Sequence, residues 1–498
     1  MKSKTLFAVT VFLISGLLNL SASQRLVILA DMGNEPDEEQ QMMHMLMCSH
    51  EFELEGLIAV TGKFLHPDSP LEFKRRLYPD LFHHLIEGYS KVYEKLKKHA
   101  DGWPEPDYLT SIVASGQRGY GFDDVGEGKS SEGSKLLEKI LLKDDDRPIY
   151  LVVNAGSNTL AQALFDLRNR LSEEELNAAI AKLRIYENGA QDNCGAWITY
   201  HFPDVHWVRS NYQTYCYGGP SIDGGFDNKG KKKELGPHTW KPYAYSNMGQ
   251  HQWLLENIIG DHGPFGNYYP IRQFHRGGIS FMEGGGTIPW LCLVNKGLSD
   301  INHPDWGGWS GLFTREKVKN EWSKHQSVKV DEGAFSPFYM FTERPDTWTD
   351  EIEGITYEDN IYSPVWRWRR AFLNDFVCRM DWCVKSYEDA NHHPVAAVNG
   401  DTSDDILIKE VKAGQTLKFD ASASSDPDDD DLKMTWWVYP EAGTYEGAAD
   451  IPRSTGAKTK FKVPADAAGS QIHLILEVED QSKIASLYDY RRVVLNVL

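Results

Sequence analysis

The sequence is poor in cysteine, in positive charge and in long apolar runs. Six cysteines in 498 residues are too few for a disulfide scaffold, and none has the paired spacing of a zinc site. Cys194 and Cys216 form the best candidate pair. Cys378 and Cys383 lie in a helical pattern that sends them to different faces, beyond bridging distance. Lys and Arg number 52 against 72 Asp and Glu, a formal net charge of −20. That balance argues against an electrostatic grip on nucleic acid or anionic lipid and suits a neutral ligand such as a carbohydrate. Beyond residue 23 no stretch has the length a membrane-spanning helix needs. The Gly-Lys-Ser step at residues 128–130 does not join a strand to a helix at P-loop spacing, so a phosphate cradle is excluded.

What is present begins with an export signal over residues 1–23. Lys2 and Lys4 precede an apolar core, and Ser21, Ala22 and Ser23 offer a small-residue cleavage site. Next comes the stretch RLVILADMGNEPDE, residues 25–38, the centre of the functional reading. Leu26 to Leu29 read as a buried strand, and Gly33, Asn34 and Pro36 end it. A helix follows, capped by Asn34 or Glu35, with Pro36 at its first position and Asp37 and Glu38 in its first turn. In an open parallel sheet such a strand end is where ligands bind, so the acids here converge on a candidate site for a hard cation or sugar hydroxyls. Dipole complementation explains any single one of them; four in eight residues exceed that need.

The pattern repeats. Residues 56–60 and 148–153 read as buried strands, the latter followed by Asn154, Ser157, Asn158 and Thr159 ahead of a helix at 160–167. A strand at 183–186 ends in Glu187, Asn188, Gln191, Asp192 and Asn193. Residues 73–100 carry helical spacing interrupted by Pro79, and the Gly-rich segment 116–134 has the length of a lid or binding loop. Trp306 and Trp309 sit among glycines at 303–313, the texture of a sugar-stacking loop, and Glu283 precedes three glycines. Residues 363–384 form an aromatic helix that closes a large α/β domain over 24–390. From 391 to 498 short alternating strands at 406–411, 416–419 and 434–438 predict an all-β sandwich. Its acidic run at 426–431 reads first as a solvated turn and second as a calcium loop.

With ADMGNEPDE, HADGWPEPDYL, DVGEGKSSEGS, GSNTLAQAL, QDNCGAWI, HGPFGNYYP, HPDWGGWSGLF, FDASASSDPDDDDL and WWVYPEAGTY in place, the chain resembles the exported cellulose-binding proteins. Their large domain is nucleoside hydrolase-like and their small C-terminal domain immunoglobulin- or cadherin-like. The resemblance implies an open, mostly parallel Rossmann-like sheet with helices on both faces. Nucleoside hydrolases carry DxDxGxDD after their first strand. Asp31 and Gly33 match its centre, and Asp37 with Glu38 match its terminal pair after a two-residue insertion that contains Glu35. The match implies that Asp31 touches Ca²⁺ and deprotonates the attacking water, that Asp37 holds sugar hydroxyls, and that Glu38 and Asn158 ligate the metal. Gln191 or Asp192 falls where the sugar is gripped.

This chain departs from the pattern at three points. Glycines fill 284–286, where an aspartate follows the glycine of the Met-Glu-Gly stretch in the related pattern, leaving Glu283 as the substitute metal ligand. Asn154 and Ala155 replace the residues expected there, and Lys63 replaces a polar residue near the sugar. Two readings follow. One is an exported, Ca²⁺-dependent hydrolase of glycosidic bonds acting on a carbohydrate or nucleoside-like molecule, including polysaccharide fragments. The other is a non-catalytic carbohydrate-binding protein that keeps the fold and the pocket. Salvage of true nucleosides is a third.

Overall fold

The computed structural model describes residues 23–218, 240, 250–270, 282, 284–318, 338–452 and 454–498. Its large sheet is laid out from β1 (Gln24–Ala30), which has parallel neighbours on both sides, β2 (Phe52–Ala59) and β4 (Ile149–Val153). With both faces covered, β1 is apolar along its length instead of alternating. Leu26, Ile28 and Ala30 enter one core while Val27 and Leu29 enter the other. The full order is β3 (Val113–Ser115), β2, β1, β4, β5 (Leu183–Asn188), β6 (His206–Ser210), β8 (Phe338–Glu343) and β7 (Phe313–Val318). All pairs are parallel except β7 with β8.

Helices cover both faces. On the first lie α1 (Asp37–Met47), α2 (Pro79–Ser90) and, much later, α6 (Arg369–Asp381); α3 (Glu132–Leu141), α4 (Ser157–Arg170) and α5 (Cys194–His201) take the second. Pro79 opens α2 at its first turn, where a missing N–H costs nothing, instead of interrupting a helix. Pro36 itself occupies the N-cap position of α1 without a side-chain cap, because Asn34 Oδ1 is engaged by Lys74 Nζ at 2.6 Å. The expected cap at Asn34 or Glu35 is therefore corrected. All six cysteines are free and buried. Cys194 lies in the core on one side of the sheet and Cys216 in the core on the other, which rules out the pairing expected between them.

A hairpin of β9 (Asp346–Asp350) and β10 (Ile355–Asn360) precedes α6. The remaining strands are β11 (Leu407–Val411), β12 (Thr416–Asp420), β13 (Leu432–Val438), β14 (Lys458–Lys462), β15 (Gln471–Asp480) and β16 (Tyr488–Val497). They form a four-stranded sheet, β11-β16-β15-β13, and a two-stranded one, β12-β14. β11 runs parallel to β16 and the other pairs are antiparallel. Phe419 and Phe461 of the small sheet share a core with Trp436, Leu474, Leu476 and Val493 of the large one, so the two sheets pack face to face. Asp426 Oδ1 accepts from Asp428 N at 2.9 Å and Asp430 N at 3.1 Å, the bonds of a self-capped turn. No helix among the described residues is long and apolar enough to cross a membrane.

Candidate functional site at the strand ends

The strand order reverses between β1 and β4, and at such a switch point the two crossovers leave in opposite directions and open a crevice beyond the strand ends. Asp31 follows β1 and Asn154 follows β4. Asn154 N donates to Leu29 O at 2.9 Å and Val60 N to Ala30 O at 3.0 Å, so three strand ends are held side by side. Asp31, Asn154 and Asn158 are fully buried, and Glu38 nearly so.

These buried groups are not satisfied by the protein. With the acids ionised, both oxygens of Asp31, Oε2 of Glu38, Oδ1 of Asp37, Oδ1 of Asn158 and both amide atoms of Asn154 find no hydrogen-bond partner among the described residues; the contacts left to the acids are with one another, Glu38 against Asp31 and against Asp37. Each such group costs ~1–3 kcal/mol, more when charged. The cost appears directly in the titration of the acids. Burial first, and Asp37 next, push Asp31 up to about 7. Burial, then Asp37 and Asp31, hold Glu38 well above the usual carboxylate range, and Glu35 is raised by burial and Asp37.

The neighbouring loops close on the same point. A Cβ on Gly62 would lie 2.5 Å from Asp31 Oδ2 and 2.8 Å from Gln191 Oε1, so only glycine admits both oxygens there. Gln191 is fixed by accepting from Lys63 N at 3.1 Å and donating to Asn154 O at 3.2 Å. Thr61 Oγ1 and Asn158 Nδ2 both donate to Gly119 O, at 3.1 and 3.0 Å. Gln117 Nε2 ties down the glycine-rich loop by donating to Asp124 O at 2.7 Å and Lys129 O at 2.9 Å. A cleft of ≈ 500 Å³ lies beside Thr61, lined also by His66, Arg75, Arg76, Ser115 and Arg118.

The donor set suits a hard cation. Asp31, Glu38 and Asn158 present unpartnered oxygens only, and calcium takes carboxylate and amide oxygens in flexible geometry. Glu283, the fourth expected ligand, lies outside the described residues. Asp37 does not extend the set into a three-carboxylate cluster. Among the described residues the one trio of His, Cys, Asp or Glu ligand atoms within 4.8 Å of one another is His44, Cys48 and Asp375, between α1 and α6.

Three expected substrate contacts are corrected. The Asp192 carboxylate accepts from Ser157 Oγ, from Asn158 N at 3.0 Å and from Cys194 N at 2.8 Å. It clasps the starts of α4 and α5 and is buried there, with most of its acceptor capacity taken by the protein. Trp309 packs edge-on against Phe372 and Tyr490, and Trp306 stacks on His303. Both indoles are buried, so neither is a stacking platform. Gln41 had no sequence signal beyond a polar pair ahead of a methionine-rich helical face. Its Oε1 accepts from Trp290 Nε1 at 3.2 Å, its Nε2 is unpartnered, and Gly286 packs against it and Asn154.

The family described as cellulose-binding Sde182, nucleoside hydrolase-like domain, matches residues 25–313, and that described as cellulose-binding protein Sde0182, C-terminal domain, matches 416–497. No curated protein matches. Among solved structures, a nucleoside hydrolase-related hypothetical protein from Saccharophagus degradans, described as associated with carbohydrate metabolism, is 34% identical. It aligns with a TM-score of 0.76 over 96% of this chain and 100% of its own. Murine CRIg, at 9% identity and a TM-score of 0.15, covers 22% of this chain and 99% of its own, a likeness too low to carry an argument.

Proposed function

We propose that this chain, which belongs to the family of cellulose-binding proteins with a nucleoside hydrolase-like domain, is an exported calcium-dependent hydrolase of glycosidic bonds acting on a carbohydrate at the ends of β1 and β4. Residues 1–23 would be its export signal. One observation carries the reading: the carboxylate and amide oxygens at the switch point are buried and unpartnered, which a folded chain tolerates where a ligand completes them.

Asp31, Glu38 and Asn158 would hold the cation, which supplies positive charge that keeps Asp31 ionised and makes a neighbouring water more acidic. Asp31, ionised beside the cation, takes the proton of the attacking water as general base. The water oxygen bonds to the anomeric carbon as the glycosidic bond breaks and the leaving group departs with the electron pair. Asp37, with Oδ1 unpartnered, and the fixed Gln191 amide hold sugar hydroxyls. Clustered negative charge also favours the oxocarbenium-like transition state.

A second reading, a binding protein without turnover, is favoured by the glycines at 284 and 286. A Cβ at Gly284 would lie 2.2 Å from Tyr217 Cδ1, and one at Gly286 2.4 Å from Asn154 Nδ2, so neither position has room for a further acid. Calcium titration and hydrolysis assays on oligosaccharides and nucleosides, for the wild type and Asp31→Asn, separate the two. Turnover that needs calcium and vanishes with Asp31→Asn supports the hydrolase. Calcium binding by a wild type that cleaves none of these substrates removes it and leaves the binding reading.

A further inference from the structure

The outer face of the four-stranded sheet leaves a cleft where it meets the large module. Strand register places side chains across this face in two rows, Lys433–Glu479–Tyr488 and Thr435–Glu477–Tyr490, and Trp437 stands beside them, while Trp436 turns the other way into the sandwich core. Opposite are β9, with Trp348, and the start of α6, with Arg370. The cleft between them measures ≈ 490 Å³, within the ~300–1,000 Å³ typical of small-ligand sites.

The lining is of two kinds. Trp348 and Trp437 are half-buried, so part of each indole faces the cleft. The charged lining is mixed, Lys433, Arg367 and Arg370 against Asp350, Glu351, Glu477 and Glu479, with no strong excess of one sign to select an ionic ligand. Glu479 is already engaged, by Lys433 Nζ at 3.1 Å, Tyr488 OH at 3.0 Å and Arg370 Nη2 at 3.5 Å. Glu477 is partly exposed where it lines the cleft. Burial and the neighbouring Glu479 push its carboxyl up to about 7, so near neutrality it both donates and accepts hydrogen bonds.

Indole faces beside a mixed set of carboxylates and cations match a pyranose ring, whose C–H face packs on an aromatic plane while its rim of hydroxyls needs bidentate polar partners. We infer that this inter-module cleft binds a neutral chain of pyranose units, stacked on Trp437 and Trp348 and hydrogen-bonded through its hydroxyls to Glu477 and Arg370. The inference rests on the carbohydrate reading above. It adds a second site that shares no residue with the strand ends.

Calorimetric titration of the full chain with cellohexaose in EGTA, where the strand-end site has no cation, tests the assignment, with sedimentation on insoluble cellulose beside it. Trp437→Ala and Glu477→Met, which keeps the volume and removes both hydrogen-bonding oxygens, should each weaken cellohexaose binding by about tenfold or more, while Glu477→Gln, which still donates and accepts, should keep it. Because Glu477→Met keeps the side-chain volume, its result stands even where Trp437→Ala disturbs folding. Undiminished binding by Glu477→Met and by folded Trp437→Ala overturns the cleft and leaves the carbohydrate reading intact. A wild type that holds neither cellohexaose nor cellulose, with or without calcium, overturns both.

Discussion

Replacing Asp31 by Asn in metal-free protein should stabilise the fold at alkaline pH, although it removes the central residue of the site. Burial and the neighbouring acids push the folded carboxyl up to about 7 from its ordinary 3.8, so folding raises it. Below the lower value the group is protonated in both states and contributes nothing to the pH dependence. Between the two the folded chain keeps a proton that the unfolded chain has lost, so stability falls as pH rises, by up to ~1.4 kcal/mol per pH unit. Above 7 the loss levels off, and a shift of this size corresponds to about 4 kcal/mol. Asn keeps the shape and never ionises, and it also removes one of the charges that raise Glu38. Urea denaturation in EGTA should show Asp31→Asn more stable than wild type by a few kcal/mol at about pH 8, with the gap closing toward about pH 5. Saturating calcium should reverse the order, because only the wild type has the full anionic donor set. A variant less stable than wild type at the alkaline end without calcium, or a gap that ignores pH, would refute the reasoning.

Trp309→Ala should cost ~3–5 kcal/mol in a denaturant titration while leaving cellohexaose affinity unchanged, since the indole is fully buried. Glu55→Ala strips the buried Arg25 of a partner at 2.7 Å and should cost ~3–5 kcal/mol by the same measurement; a loss under about 1 kcal/mol would show that the carbonyls around Arg25 suffice. Gly285→Asp should raise calcium affinity measured calorimetrically, because a Cβ at 285 meets nothing nearer than 3.6 Å, unlike one at 284 or 286. An unchanged affinity would mean the new carboxylate does not reach the Asp31 pocket.

The parts of the fold legible in the sequence were those where local pattern and burial agree. β1 and β4 are flanked by parallel partners on both sides, so their apolar runs are unbroken and unmistakable. β3 is three residues at an edge, too short for any period. In β6 the run His206 to Ser210 hides Arg209, which reads as solvated but is buried against Glu187 at 2.5 Å. The tryptophan loop misled for a related reason. Glycines beside an indole suggest flexibility, yet a Cβ on Gly307 would lie 2.8 Å from the Tyr439 ring, and Arg492 Nη2 donates to Gly307 O at 2.8 Å. The glycine is there so that the C-terminal module can approach closely. The acids of residues 31–38 were legible because they follow an apolar strand within one turn of chain. The cleft was not, because Trp348, Arg370, Trp437 and Glu477 sit on four elements, and a sheet packed on both faces loses the alternation that would mark which side each one takes.

The two sites are nevertheless tied to one frame. The first turn of α1 carries Asp37 and Glu38, and its far end carries His44 and Cys48, which face Asp375 of α6 at 3.7 Å each. The same carboxylate accepts from Arg379 Nε and from His393 Nε2, both at 2.6 Å, and His393 belongs to the segment leading into the C-terminal sandwich. Burial alone would raise Asp375, yet Arg379 and His393 hold it well below the usual carboxylate range. It therefore stays ionised as the shared anchor of α1, α6 and the sandwich. The start of α6 supplies Arg370 to the cleft. Asp375→Asn leaves buried Arg379 and His393 facing a neutral amide and should cost ~3–5 kcal/mol in denaturant. If the anchor sets the placement of both α1 and α6, calcium affinity and cellohexaose affinity should fall together in the folded variant. Loss of stability with both affinities intact would show that the cluster holds the fold without positioning either site.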